Sequence, residues 1–81
     1  PIEGYLTKYF SIDATNTSEW TSTADIVARL FDMGYKGSST RAVAMEVAAT
    51  LGEMGLTKEK RRNGGNPIWG YRGIWIPSAI P

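Results

Sequence analysis

LTKEKRRNGGNPIWGYRGIWI, residues 56–76, is the stretch on which the fold turns. Its first part carries the basic run Lys58-Glu-Lys-Arg-Arg62. Its centre, Asn63-Gly-Gly-Asn-Pro67, is a turn signal, because glycine reaches positive φ without strain and asparagine tolerates it. Its last part, residues 68–76, is aromatic and β-branched, a composition that suits a pleated, half-buried surface. Two antiparallel strands with an exposed tip are expected, and Pro77 and Pro81 end the regular structure. Alternate side chains of a strand share a face. Lys58, Lys60 and Arg62 then point one way and Arg61 the other. On the return strand Trp69, Tyr71 and Trp75 share one face and Ile68, Ile74 and Ile76 the other. The isoleucines are the simpler inward choice.

Upstream the period changes from two to that of a helix. Ile2, Tyr5, Leu6, Tyr9 and Phe10 recur at i, i+3, i+4, i+7 and i+8, one apolar stripe of a first helix within residues 2–13. The polar run 14–18 ends it, and residues 19–21 suit a short extended stretch. A second helix starts at Ser22 or Thr23, either of which can cap it, with Asp25 at the positive end of the helix dipole. Ile26, Val27, Leu30 and Phe31 are its expected buried face, and Gly34 its stop. Ser38 or Ser39 caps a third helix from Thr40 to about Met54, with Val43, Ala44, Val47, Ala48 and Leu51 inward and Gly55 beyond its end. The connection between these two helices is read as about four to six residues, the spacing of a helix–turn–helix. Trp20 is expected in the core.

Three helices followed by a hairpin give an α+β chain, and this order predicts a winged helix whose wing is the two-stranded basic hairpin. The chain has 81 residues, enough for one domain over 1–81. Such a length buries only about 60–65% of the unfolded surface. With no cysteine, the 42% of hydrophobic residues must supply the core. No run of about 18 apolar residues is present to span a membrane. The chain begins at Pro1 without a methionine, as a piece of a longer protein would. The absence of cysteine fits a reducing cytoplasm.

Net charge is only +1, but its distribution is uneven. Residues 1–55 hold four cations against seven carboxylates, a net of −3. Residues 56–81 hold Lys58, Lys60, Arg61, Arg62 and Arg72 against Glu59, a net of +4. A basic end of this kind suits a polyanionic partner. Arginines near a flexible tip reach phosphates or a minor groove, although cations also protect a sheet edge from aggregation. At the start of the third helix, Ser38, Ser39, Thr40 and Arg41 stand where a recognition helix meets DNA, and Arg41 suits guanine or phosphate. Capping alone is the stronger role for Ser39. The outer face of that helix, Ala42, Met45, Glu46, Ala49 and Glu53, is poor in donors. The expected DNA contacts are therefore Ser38, Ser39, Thr40, Arg41, Lys58, Lys60, Arg61, Arg62, Asn63 and Arg72. Trp69, Tyr71 and Trp75 leave base stacking open, with packing the weightier role.

Catalysis is disfavoured. No histidine or cysteine supplies a general base, a thiol nucleophile or a transition-metal ligand set. The carboxylates are scattered, and Asn63-Gly-Gly-Asn66 lacks the Lys-Ser/Thr of a phosphate-binding loop. A binding protein without cofactor or metal is expected.

The order helix, Trp20-Thr-Ser22, helix, Ser38-Ser-Thr-Arg41, a helix ending Leu51-Gly-Glu-Met-Gly55, a basic strand, and Gly70-Tyr-Arg-Gly-Ile-Trp-Ile76 resembles the C-terminal winged-helix domain of phage and plasmid replicative primase–helicases. The resemblance covers about residues 2–77 through short motifs. It implies binding to an origin or a single-strand/duplex junction beside other domains or subunits of a replication complex. By matching position it implies contacts from Ser39, Thr40, Arg41, Lys60, Arg61, Arg62 and Asn63. The alternative is a protein-docking or oligomerisation module that uses the acidic helical half and the neutral Ala42, Met45, Ala49 patch, since fold does not fix function.

Overall fold

A computed structural model describes residues 1–78, and every side chain among them except that of Asn63. In chain order the elements are α1 (Ile2–Tyr9), β1 (Ser11–Ile12), β2 (Trp20–Ser22), α2 (Thr23–Asp32), α3 (Thr40–Glu53), β3 (Thr57–Asn63), β4 (Asn66–Arg72) and β5 (Ile74–Trp75). The chain is α+β. Among the described residues all strand pairings are antiparallel and form two small sheets, one of order β2-β4-β3 and one of β1-β5.

This arrangement corrects the winged-helix expectation. The basic hairpin is not a two-stranded wing set on three helices. Its return strand is the middle of a three-stranded sheet, because β2 pairs along its far edge, Thr21 opposite Tyr71 and Ser22 opposite Gly70. The close approach requires glycine: a Cβ on Gly70 would lie 2.3 Å from the Thr21 carbonyl oxygen and 2.7 Å from the Trp20 ring. Trp20 therefore lies over Gly70, half-buried rather than in the core, and its indole N–H donates to the Glu59 carbonyl across the sheet at 3.1 Å. The second sheet arises where Gly73, at φ 91°, breaks the last strand and turns it onto β1.

That break also overturns the inward isoleucine face. Alternation does not carry across Gly73, so Tyr71 and Ile74 are both buried, Ile68 is half-buried and Ile76 is exposed. The buried core combines the two structural classes: Leu6, Ile26, Leu30, Val43, Val47 and Leu51 from the helices with Tyr71 and Ile74 from the sheets.

The helices follow local chemistry closely. The Ser22 hydroxyl accepts from Asp25 N–H and the Ser39 hydroxyl from Ala42 N–H, one cap for each of α2 and α3. Both end in the same way, with glycine at positive φ and a wrap-around bond: Tyr35 N–H to the Leu30 carbonyl, Leu56 N–H to the Leu51 carbonyl. α1 stops earlier than its polar tail allows, because Phe10 turns extended (φ −131°, ψ 156°) into β1. Arg29 of α2 satisfies one carbonyl left open there, donating to Tyr9 O at 2.8 Å. Two further expectations are corrected. Residues 33–39 join α2 to α3, a longer connection than a tight turn, since Tyr35 packs edge-on against Tyr5 at 5.1 Å within it. Phe31, one step round α2 from Leu30, sits at the core margin and is 37% exposed. Among the described residues no helix is long and apolar enough to cross a membrane.

Candidate functional site

Pairing of β3 with β4 sets Lys60 opposite Trp69, Lys58 opposite Tyr71, Arg61 opposite Ile68 and Glu59 opposite Gly70. Lys58, Lys60, Trp69 and Tyr71 thus share the sheet face turned toward α3. Glu59, Arg61, Ile68 and Arg72 share the other with Trp20. The basic run is divided between two surfaces of different character.

On the helix-facing side Tyr71 is buried, and burial pushes its phenol pKa above the usual value. Trp69, two residues before it, is 50% exposed. Lys58 Nζ stands 5.1 Å from the Trp69 ring centre and Lys60 Nζ 5.3 Å. These are cation–π distances, worth about 0.5–1 kcal/mol each at an exposed site. Across from them the first turns of α3 supply Arg41, Ala44, Met45 and Ala48. With Thr23, Lys58, Trp69 and Tyr71 they line an open groove of about 290 Å³. Ala44 and Ala48 face it four residues apart, so small side chains on one helix face leave the gap that the sheet does not fill. Met45, beside them, is 63% exposed.

The opposite side is electrostatically quieter. Arg61 Nε donates to Glu59 at 2.6 Å, and the Arg72 guanidinium lies 3.6 Å from the other oxygen of the same carboxylate. Arg61 also stacks 5.1 Å from the Trp20 ring centre. Such exposed pairs contribute little stability, about 0–1 kcal/mol, but one carboxylate offsets part of the charge of two arginines. Among the described residues these are the ion pairs, so Arg41, Lys58 and Lys60 keep their charge uncompensated around the groove.

Of the ten residues expected at a DNA contact, Arg41 and Lys58 line the groove, and Lys60 stands beside it over the Trp69 ring. Arg61 and Arg72 are held by Glu59 on the other face. Arg62 lies near the hairpin tip, where it donates to the Gly65 carbonyl at 3.1 Å. Asn63 pairs with Asn66 through the backbone there, and its side chain lies outside the described ones. Ser38 and Thr40 are exposed at the start of α3, and the Ser39 hydroxyl is committed to its cap. Of the aromatic face expected from Trp69, Tyr71 and Trp75, Trp69 is the member exposed at the groove. The Glu59 clamp had a signal in the alternation of residues 59 and 61, but its second arginine, Arg72, emerges only from the strand register.

Among the described residues no group of carboxylates is placed to hold a metal ion. In comparisons with known proteins, no family model, no curated protein and no solved structure matches this chain.

Proposed function

We propose that this chain binds DNA along the groove between α3 and the β3–β4 hairpin, with Arg41, Lys58 and Lys60 holding phosphates. The observation that carries the proposal is the convergence of these three uncompensated cations around an exposed tryptophan. Basic side chains facing the backbone release condensed counterions, which is the main source of sequence-independent affinity for DNA. Exposed Glu46 and Glu53 farther along α3 repel phosphate, so the strand passes the first turns of α3 rather than following its length. A place in DNA replication rests on the sequence resemblance alone, and a cytoplasmic one on the absence of cysteine. A forked substrate that binds no better than its separate arms counts against the place in replication.

The test is fluorescence polarisation of labelled DNA between about 50 and 200 mM salt. Three phosphate contacts predict a log–log slope of about −2 to −3. Lys58→Ala with Lys60→Ala should reduce its magnitude by about 1.4–1.8. Arg61→Ala with Arg72→Ala should reduce it by less, because Glu59 already offsets that pair. No binding at the lowest salt sinks the proposal and turns the search to a protein partner for the exposed Met45 surface.

A further inference from the structure

We infer that the groove receives an unpaired base stacked on Trp69, which makes the ligand single-stranded DNA rather than an intact duplex. This rests on the DNA reading above and narrows it. Three observations support it together.

The first is the exposure of Trp69 itself. It lies on β4, the central strand of its sheet, on the face whose next residue, Tyr71, is 3% exposed. Core packing therefore already uses this face, yet Trp69 stays 50% open toward a groove. The second is the groove wall. Ala44, Met45, Ala48 and Tyr71 give apolar surface and little hydrogen-bonding capacity. Such a wall does not read base edges, but it accepts the flat face of a base, and stacking asks for nothing more. The third is the position of the cations. Lys58 and Lys60, two residues apart along β3, each lie over the Trp69 ring at about 5 Å from its centre, so a base seated on the indole takes the place of these weak cation–π contacts, and Arg41 lines the same groove. A base seated on the indole brings its own phosphates to these three groups.

A duplex fits this surface less well. Major-groove reading needs donors along the exposed face of a helix, and beyond Arg41 the exposed residues of α3 are Met45, Glu46, Ala49, Gly52 and Glu53.

The experiment compares three labelled ligands of equal length on the full chain: oligothymidylate, the same backbone carrying abasic sites, and a blunt duplex. Stacking predicts that oligothymidylate binds about 5- to 150-fold tighter than the abasic chain. Oligothymidylate should also quench tryptophan emission. Trp69→Ala should bring the affinity ratio close to one and abolish the quench, and Trp69→Phe should restore part of the ratio. Equal affinity for the abasic chain and oligothymidylate, or tighter binding of the duplex, overturns the stacking assignment and leaves phosphate binding standing. Failure of all three ligands to bind overturns both. The comparison of ligands on the unaltered protein decides the matter even if a Trp69 variant folds poorly.

Discussion

Gly70 and Gly64 lie six residues apart in one hairpin and serve different ends. Gly64, at φ 66°, has nothing within 4 Å of where a Cβ would stand, so its role is conformational only. Gly70 has no such φ but is roofed by Trp20 and by the Thr21 carbonyl. Backbone oxygen cannot yield as a flexible side chain does, and overpacking of this kind costs about 1–3 kcal/mol. Gly70→Ala should therefore lose about 3 kcal/mol and lower Tm by roughly 12–24 °C. Gly64→Ala should lose about 1–2 kcal/mol, the cost of a left-handed residue. Thermal melts followed by circular dichroism compare the two, and a Gly70→Ala variant that melts within a few degrees of the parent would remove the Trp20–Gly70 contact from the account. The same residues mark a limit of sequence reading. Both glycines look alike in a turn-rich stretch, and only the arrival of β2 distinguishes them. Trp69 poses the same difficulty: its type and parity with Tyr71 were visible, but which of the two would be buried depended on where α3 crosses the sheet.

At the scale of elements, α2 and α3 were the most legible, because each carries a serine cap, an apolar stripe and a glycine stop within its own sequence. β2 and β5 were not. Strands of three and two residues have no period to detect, and their partners are remote in sequence. The longer α2–α3 connection was also hidden, since Tyr35 is held by groups outside it. Its hydroxyl donates to the Glu46 carboxylate of α3, and its ring meets Tyr5 of α1. The bond to Glu46 is the largest cause that raises the Tyr35 pKa above its ordinary value of 10.0. A pKa raised by folding means a contribution fully present below the unfolded value and lost as pH climbs through the folded one. Tyr71 shifts the same way through burial. At the acid end Asp13 runs opposite: the Thr15 hydroxyl and N–H bonds lower its pKa, so its contribution is lost as pH falls through that lowered value. Urea midpoints should therefore hold through neutral pH and decline above pH 10.0. Tyr35→Phe should make that decline shallower without abolishing it, because Tyr71 remains. An unchanged alkaline limb in Tyr35→Phe would show that the tie between connection and helix carries no stability.

For the whole molecule, the decisive property is that one core serves both sheets and all three helices. The charge division between residues 1–55 and 56–81 suggests a helical body with a basic appendage, but burial does not follow that division. Tyr71 and Ile74 belong to the same cluster as Leu6, Leu30 and Leu51. The ten expected contacts divided for the related reason that charge can be read along a chain, whereas the face on which it emerges depends on register. A chain of 81 residues has a total stability of about 4–12 kcal/mol. Leu51, with no exposed surface, should cost about 2–5 kcal/mol when cut to alanine. Leu51→Ala therefore removes a large share of the total and should lower Tm by at least about 8 °C. The consequence reaches beyond α3. Trp20, Trp69 and Trp75 report on the two sheets, and far-UV circular dichroism reports mainly on the helices. If the core is shared, tryptophan fluorescence and far-UV signal should move together to the lower midpoint in Leu51→Ala. A fluorescence transition that stays at the parent midpoint while the helices melt early would mean that the hairpin stands alone. The groove between α3 and Trp69 would then have no rigid wall on the helix side, and the paired lysines would sit on a hairpin free to move relative to Arg41.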